Sequence, residues 1–344
     1  MMRLPAFAFR LPKTLGEAAK MLAYDPKSTR LVAGGTDLWP NMKRRHQSAA
    51  TVVGLSRVKE LRGIRPQADG SVVIGAMTTL TEICESAFLR AKHGGFVRAV
   101  ATISTPVLRN MGTIGGNLCL DTRCTYYNQS EEWRRSIDYC LKEVGETCWV
   151  APGSPRCWAI AASDSAPVVC AVGAKVKLVS EDGERVIPAP ALFADDGIDY
   201  LTKRKDEILT EVILPAPGAL KSNYWKLRRR GSIDFPVLGV GAALATDAGG
   251  TVTCAAIFLG AVASAPLESR AAAEALLGKQ LGPETIAEAA QAAAAISTPM
   301  DNTDFTVSWR KAMVERYVEG CLREAAGLPP KGMAPQHGLW VACG

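Results

Sequence analysis

The sequence lacks any long uninterrupted apolar run, although 48% of its 344 residues are hydrophobic. No stretch reaches the roughly 18–20 apolar residues that cross a bilayer. Residues 1–10 also lack the apolar core and cleavage site of a signal peptide. We therefore expect a cytoplasmic protein that does not span a membrane. In that reducing compartment, clustered cysteines are expected to be metal ligands rather than disulfides.

Two further classes of function find little support. The net charge is only +6, and the basic residues are scattered apart from residues 43–45 and 228–230, so nucleic-acid binding is not expected. The three histidines, His46, His93 and His337, show no metal-ligand spacing, and we interpret them as surface residues. No Ser-His-Asp or Cys-His set can be assembled, so we expect no catalytic residue in this chain.

Strand patterns that alternate with helix patterns predict an α/β or α+β unit in the first half of the chain. An alternating run at 175–180 and a turn at 181–184 predict a hairpin to residues 185–187. Thr14, with Glu17 three residues later, predicts a capped helix start. A change of composition at residues 215–218 marks a domain boundary. Beyond it, two strand-like runs precede Ala-rich helices, one of which is predicted at 283–296 with a proline at its start. We expect domains at residues 1–216 and 217–328 and an irregular tail at 329–344.

Two Gly-Gly turns follow predicted strands. Residues 33–38 (AGGTDL) expose consecutive backbone N–H groups that can reach a phosphate oxygen. They match neither the GxGxxG fingerprint nor the P-loop, and a tight strand-to-helix turn explains them equally well on their own. A second turn, at residues 113–117 (TIGGN), favours a pyrophosphate held from both sides. Glycine chemistry leaves the identity of the dinucleotide open.

Four cysteines lie in a stretch that separates the second turn from Ser163 and Asp164. The stretch is rich in Trp, Arg, Glu, Gly and Pro and poor in branched aliphatic residues, which indicates an insertion built around its thiols. The cysteines are widely spaced, without the knuckles of zinc fingers or the short spacings of bacterial ferredoxins. A thiolate-bound cluster is the preferred interpretation, and structural zinc is the main alternative. These cysteines are Cys124, Cys140, Cys148 and Cys157.

The order of motifs resembles the FAD-binding medium subunits of the xanthine dehydrogenase family of molybdenum hydroxylases. The resemblance covers nearly the whole chain and rests on residues 31–37 (LVAGGTD), 74–80 (IGAMTTL), 113–117 (TIGGN), 163–164 (SD) and 224–228 (YWKLR). It implies an α+β protein with a PCMH-type FAD-binding domain of two α/β subdomains. A small C-terminal α+β domain, an antiparallel sheet with helices, would follow.

The resemblance also implies which residues bind FAD. Asp164 corresponds to a carboxylate at the adenosine half, although a helix cap is an alternative role. Lys226 falls at the flavin half, where a solvated strand residue is the alternative, and Asp234 lies near the same edge. The implied cofactor residues are Leu31, Val32, Ala33, Gly34, Gly35, Thr36, Asp37, Leu38, Ile103, Ser104, Thr113, Gly116, Asn117, Ser163, Asp164, Leu209 and Lys226.

The insertion is similar to that of one branch of the family, the flavin subunits of 4-hydroxybenzoyl-CoA reductases. On that resemblance, a 4Fe–4S cluster is held by Cys124, Cys140, Cys148 and Cys157 (residues about 122–158). Cys119 belongs to the FAD loop. The remaining cysteines are expected to be inert: Cys84, Cys170, Cys254, Cys321 and Cys343.

The function implied by this resemblance is that of an electron-transfer oxidoreductase subunit in anaerobic aromatic degradation. Electrons would pass from reduced ferredoxin through the 4Fe–4S cluster and FAD to the 2Fe–2S clusters of a small subunit. A large molybdopterin subunit would then dehydroxylate 4-hydroxybenzoyl-CoA to benzoyl-CoA, in a dimer of heterotrimers. Two alternatives stay open: a molybdenum hydroxylase for another aryl-CoA or an N-heterocycle, and a zinc-bearing binding module without a redox role.

Overall fold

The computed structural model describes residues 3–329. The first part contains β1 (Ala8–Arg10), α1 (Leu15–Tyr24), β2 (Thr29–Val32), α2 (Leu38–Lys43), β3 (Thr51–Gly54), β4 (Ile64–Pro66), β5 (Val72–Gly75), α3 (Leu80–Glu85), α4 (Ala87–Lys92), α5 (Gly94–Ala101), α6 (Pro106–Arg109), α7 (Ile114–Leu118) and α8 (Glu131–Ser136). The rest contains α9 (Ser165–Ala171), β6 (Lys175–Ser180), β7 (Gly183–Pro188), β8 (Ile208–Leu214), β9 (Lys221–Leu227), β10 (Leu238–Thr246), β11 (Val252–Gly260), β12 (Leu267–Glu268), α10 (Arg270–Leu276), α11 (Pro283–Ile296) and α12 (Val307–Ala325). Short 3-10 turns lie at Leu55–Arg57, Lys59–Leu61 and Ala189–Leu192.

Helix starts follow the side chains that cap them. The Thr14 hydroxyl accepts a hydrogen bond from the Glu17 N–H at 3.2 Å, which confirms the predicted start of α1. At α3, Thr79 and Glu82 form a full capping box. The predicted helix at 283–296 is confirmed to the residue as α11, with its proline in the first turn.

Two sheets form the first part of the fold. A parallel sheet has the order β1-β3-β2, and α1 packs on it through buried Ala18, Ala19 and Leu22. A five-stranded antiparallel sheet has the order β4-β5-β8-β6-β7, and its β6–β7 hairpin is the predicted one. Strand β2 therefore delivers the first Gly-Gly turn at the end of the parallel sheet.

A four-stranded antiparallel sheet, of order β12-β11-β10-β9, forms the C-terminal part. Helices α10, α11 and α12 cover it, with a core that includes Trp225, Ile257, Ile286 and Val314. The predicted class is confirmed as α+β, because two of the three sheets within residues 3–329 are antiparallel and helices pack on them. No helix within residues 3–329 is long and apolar enough to cross a membrane.

The cysteine-rich insertion closes at a two-bond neck. The Arg123 N–H donates to the Ile160 carbonyl at 2.9 Å, and the Ile160 N–H donates back at 2.7 Å. Asn302 then ties the insertion to the C-terminal part. Its carbonyl accepts from the Thr125 N–H at 2.9 Å, and its side-chain amide donates to the Trp158 carbonyl at 2.7 Å. The insertion is thus anchored to both parts of the fold.

The expectation that the histidines lie on the surface is wrong for two of them. His46 is 8% exposed and His93 is 4% exposed. The ring of His46 packs at a tilt against Tyr127 of the insertion, with centroids 4.7 Å apart, so a contact that buries it comes from distant sequence. His93 is buried between α4 and α5, and burial lowers its pKa. His337 and Cys343 lie outside the described residues.

We predict that Glu324→Gln lowers stability by about 1 kcal/mol above pH 5, and that the difference disappears in acid. Burial opposes ionisation of Glu324, but hydrogen bonds from Arg98 and the Trp225 indole outweigh it and lower its pKa to about 2, from an ordinary 4.5. The contribution is therefore complete above pH 4.5 and is lost as pH falls towards 2. Urea unfolding at several pH values measures it. Glu315→Gln, on the exposed face of α12, is the control, and an equal loss in both variants would contradict the assignment.

Candidate functional site

A cleft of about 710 Å³ lies beside the two Gly-Gly turns, within the range of ligand-binding pockets. All but two of the cofactor residues predicted from sequence line it: Leu31, Val32, Ala33, Gly34, Gly35, Thr36, Asp37, Leu38, Ile103, Ser104, Thr113, Gly116, Asn117, Asp164 and Leu209. Ser163 and Lys226 are buried but do not line it. Tertiary structure thus brings together segments that are far apart in sequence.

The first Gly-Gly turn presents unpaired backbone donors. The N–H groups of Gly34, Gly35, Thr36 and Asp37 find no hydrogen-bond acceptor among residues 3–329. Gly35 has a φ of 74°, which favours glycine. A Cβ on Gly34 would lie 1.7 Å from the carbonyl oxygen of Met111, so only glycine fits there. Such a row of free donors is suited to an anion.

The second turn is packed against the end of β5, in the five-stranded sheet, and against the capped start of α3. A Cβ on Gly115 would lie 2.6 Å from the Cβ of Ala76. The Thr113 hydroxyl accepts from the Gly116 N–H at 3.2 Å. The Leu80 N–H donates to the Gly112 carbonyl at 2.9 Å. Together with the close approach of Gly34 to the Met111 carbonyl, these contacts hold both Gly-Gly turns at one cleft.

Asn117 joins the second turn to the segment that follows the insertion. Its side-chain carbonyl accepts from the Ser163 hydroxyl at 2.8 Å and the Ser165 hydroxyl at 2.6 Å. The Ser163 hydroxyl in turn accepts from the Ala166 N–H at 3.2 Å, so Ser163 supplies the side-chain cap at the start of α9. Asp164 makes no such cap, which leaves its carboxylate for other partners.

Asp164 and Lys226 form a buried ion pair. The Lys226 Nζ lies 2.8 Å from the Asp164 Oδ2 and also donates to the Thr102 carbonyl at 3.0 Å. The Tyr224 hydroxyl donates to the other carboxylate oxygen at 2.8 Å. Burial raises the pKa of Asp164 and lowers that of Lys226, while their mutual attraction opposes both shifts. Lys226 therefore supports the wall of the cleft from behind.

A loop from the C-terminal part reaches the same cleft. Ser104 has a φ of 52°, and its carbonyl accepts from the Ile233 N–H at 3.0 Å. Ile233 has a φ of 67°, so two strained residues brace each other. The Asp234 carboxylate pairs with Arg230, and its neighbours Ile233 and Phe235 line the cleft with it. The loop positions apolar side chains at this end of the cleft.

Arg123 crosses between the insertion and the first turn. Its guanidinium pairs with Asp37 and lies 4.5 Å from the centroid of the Phe235 ring. Burial raises the pKa of Asp37, and the charge of Arg123 opposes that shift. Sequence reasoning missed Arg123 because nothing local shows that the neck of the insertion lies over the cleft.

The four clustered cysteines meet in a small cavity. All four are buried and line it. Three of them open tight turns: the carbonyl of Cys124 accepts from the Tyr127 N–H at 3.1 Å, that of Cys140 from the Glu143 N–H at 2.9 Å, and that of Cys148 from the Ala151 N–H at 2.9 Å. The insertion therefore wraps around its thiols, as its composition indicates.

Backbone N–H groups point at these sulfurs. The Ala159 N–H donates to the Cys157 Sγ at 3.4 Å. Burial still dominates, and it raises the pKa of Cys124 to about 12 and that of Cys157 to about 11. The thiols of Cys124 and Cys157 are thus protonated at neutral pH, and a metal that binds them must displace those protons. No group of three His, Cys, Asp or Glu side chains within residues 3–329 is placed to hold a metal ion.

The other described cysteines lie elsewhere. Cys170 and Cys321 are buried, and burial raises the pKa of each thiol, so both are unreactive. Cys84 is half-buried in α3, Cys254 is exposed in β11, and Cys119 lines the cleft. All nine cysteines within residues 3–329 are free thiols.

Comparison with known proteins yields one family for most of the chain. Residues 5–217 match the FAD binding domain in molybdopterin dehydrogenase, and residues 222–325 match the CO dehydrogenase flavoprotein C-terminal domain. The medium chain of carbon monoxide dehydrogenase from Hydrogenophaga pseudoflava is 29% identical over 93% of this chain and 97% of the relative. The nicotinate dehydrogenase FAD-subunit of Eubacterium barkeri is 29% identical over 81% of this chain and 82% of the relative.

Solved structures show the same fold. In the carbon monoxide dehydrogenase structure from Hydrogenophaga pseudoflava, a chain of 29% identity superposes with a TM-score of 0.78 over 95% of this chain and 99% of that one. The expected PCMH-type FAD-binding architecture, with its C-terminal α+β domain, is confirmed.

We predict that Lys226→Met costs about 3–5 kcal/mol, because it leaves the Asp164 charge buried without its partner. The double variant Asp164→Asn/Lys226→Met is expected to recover part of that loss. Urea unfolding of each variant measures both effects. Lys221→Met, at the exposed end of the same strand, is the control. A Lys226→Met variant as stable as the control would contradict the ion pair.

Proposed function

We propose a function from one established premise: the chain belongs to the family of FAD-binding domains of molybdopterin dehydrogenases and is the FAD-binding subunit of a molybdenum hydroxylase family enzyme. On that premise, we assign it to an electron-transfer subunit in which the four-cysteine insertion holds a 4Fe–4S cluster. The observation that carries the assignment is the convergence of four buried thiols on one cavity behind the cleft. We assign residues 1–216 and 217–328 to its two domains.

The cleft suits FAD by charge and shape. The pyrophosphate of FAD is anionic, and the free N–H groups at residues 34–37 offer donors without side chains in the way. We assign residues 31–38 and the Thr113, Gly116 and Asn117 turn to the pyrophosphate and ribose. Ile103, Ser104 and Leu209 then lie towards the flavin. Bound FAD would exchange electrons singly or in pairs, which links one-electron centres to a two-electron reaction.

Ser163 and Lys226 would act on the cofactor indirectly, through the residues that they bind. Ser163 orients Asn117, and Lys226 orients Asp164. Both Asn117 and Asp164 line the cleft. We therefore assign these two residues to positioning of the cofactor contacts.

The thiol cavity favours a cluster over zinc. Structural zinc sites usually take paired cysteines two to four residues apart, whereas Cys124, Cys140, Cys148 and Cys157 are widely spaced along the chain. A cluster core of iron and sulfide holds its cysteines farther apart, around a cavity. The N–H groups that point at the sulfurs also favour thiolates of an iron–sulfur site. These points support Cys124, Cys140, Cys148 and Cys157 as the ligands.

The finer assignment is the flavin subunit of a 4-hydroxybenzoyl-CoA reductase, supported by the position of the insertion and its four thiols. In this assignment ferredoxin donates electrons, and a small 2Fe–2S subunit and a large molybdopterin subunit complete a cytoplasmic dimer of heterotrimers. The free thiols of the described residues fit a reducing compartment. The main alternative is a hydroxylase that oxidises another aryl-CoA or an N-heterocycle.

We predict that two single changes separate the cofactors. Cys140→Ser is expected to lose about four iron and four sulfide per subunit and to keep its FAD. Gly34→Ala is expected to weaken FAD binding at least tenfold, about 1.4 kcal/mol, and to keep its iron, because its Cβ collides with Met111. Iron, zinc, sulfide and flavin analysis of purified protein measures both.

The matched controls are Cys254→Ser, an exposed thiol in β11, and Gly94→Ala, where a Cβ meets nothing within 4 Å. If Cys140→Ser keeps its iron, Cys140 is not a ligand and the assigned set of four cysteines is wrong. Zinc in place of iron in the unmodified protein would support the non-redox binding module instead.

The direction of electron flow is tested in the complete complex. With reduced viologen or ferredoxin as the donor, we expect 4-hydroxybenzoyl-CoA to be converted to benzoyl-CoA, because a 4Fe–4S centre can reach strongly negative potentials. Product formation is followed chromatographically. Strong oxidase or NAD-linked activity without a response to these donors would support the hydroxylase alternative.

A further inference from the structure

Two side chains form the wall between the cleft and the thiol cavity. Tyr127 and Lys142 line both spaces, and no other described residue lines both. The insertion therefore faces the cleft through one aromatic ring and one ammonium group. Neither residue belongs to the motifs on which the FAD assignment rests.

Lys142 is held rigidly in that wall. Its side chain is 5% exposed. The three protons of its ammonium have three acceptors: the Gly197 carbonyl at 2.6 Å, the Thr122 hydroxyl at 2.7 Å and the Asp121 Oδ1 at 2.8 Å. The Nζ also lies 5.1 Å from the centroid of the Tyr127 ring. A charge so placed is screened little by solvent.

The lysine and its counter-charge are arranged as a dipole across the wall. Asp121 lines the cleft but not the thiol cavity, and its second oxygen accepts from the Gln47 amide at 3.0 Å. Lys142 lines both spaces, and its Nζ binds the carbonyl of Gly197, which packs against Cys157, so the positive end of the ion pair lies on the side of the thiols. The ion pair therefore stabilises negative charge in the thiol cavity more than its net charge of zero indicates.

Gly197 connects the ammonium to one sulfur. Its carbonyl accepts from Lys142, and its N–H donates to the Cys157 carbonyl at 3.0 Å. A Cβ on Gly197 would lie 2.5 Å from the Cys157 Sγ, so the backbone is packed directly against that thiol. One glycine residue therefore separates the Lys142 ammonium from the Cys157 sulfur.

Tyr127 fixes the other half of the wall. It packs in one cluster with Cys124, Cys140 and Cys157, and its hydroxyl donates to the His46 carbonyl at 2.6 Å. The ring that faces the cleft is thus the ring that contacts the thiols. Contacts with the insertion and contacts with residues that line the cleft together fix the positions of Tyr127 and Lys142.

We propose that Lys142 is a positioning residue that raises the reduction potential of the cluster bound by the four cysteines; this rests on the function proposed above. Reduction adds one electron, without a proton, to a site that is already anionic because of its thiolates. A fixed positive charge beside that site stabilises the reduced state more than the oxidised state. Asp121 limits the effect, because its negative charge acts in the opposite direction.

The test is a redox titration of the cluster with dithionite as the electron donor, followed by electron paramagnetic resonance. The variants are Lys142→Met, Lys142→Arg and Asp121→Asn, and the control is Lys177→Met, which removes a lysine that lines neither space. Iron, sulfide and FAD are measured first. We expect a lower midpoint potential in Lys142→Met, a smaller shift in Lys142→Arg and a higher potential in Asp121→Asn.

The outcomes separate the two proposals. Absence of iron from the unmodified protein would overturn the cluster and this inference together. With iron and FAD retained, a Lys142→Met potential equal to that of the control would overturn the role of Lys142 alone. If Lys142→Met loses its cluster, Asp121→Asn decides: a rise in potential supports the dipole, and an unchanged or lower potential overturns it.

Discussion

The side-chain carbonyl of Asn117 is the contact on which both the cleft and the insertion depend. It accepts hydrogen bonds from the hydroxyls of Ser163 and Ser165, and so it joins the chain before the insertion to the chain after it. All three side chains are buried, where a polar group left without a partner would cost about 1–3 kcal/mol. Because this junction is closed, a long cysteine-rich segment can leave and rejoin the fold without disturbing the Gly-Gly turn beside it.

A few specific contacts also connect the C-terminal part to the cleft. Strand β9 carries Tyr224 and Lys226 to Asp164, while the loop after it braces Ser104 through Ile233. Asn302, from the C-terminal part, binds Thr125 and Trp158 and so ties the insertion to the C-terminal part. The cleft is therefore assembled from both domains and from the neck of the insertion, so its shape depends on the packing between them.

Local chemistry explains which parts of the fold could be predicted. Thr14 with Glu17, the β6–β7 hairpin and the proline at the start of α11 act within a few residues, and each appears where its pattern indicates. The two Gly-Gly turns could be recognised from their own conformational requirement, whereas the other cleft residues were implied only by the family resemblance. His46 and Lys226 were harder, since the groups that bury them or bind them lie far away in sequence.

By itself, the sequence determined the strands and helices, the two glycine turns and a thiol-centred insertion, because propensity, turn geometry and composition are local properties. Only the tertiary structure decided that Lys226 supports Asp164 from behind the cleft and that four distant cysteines share one cavity. It also placed Lys142 and Tyr127 between that cavity and the cleft. These relations arise from burial and from contacts between distant segments, and the free energy that fixes them exists only once the chain has folded.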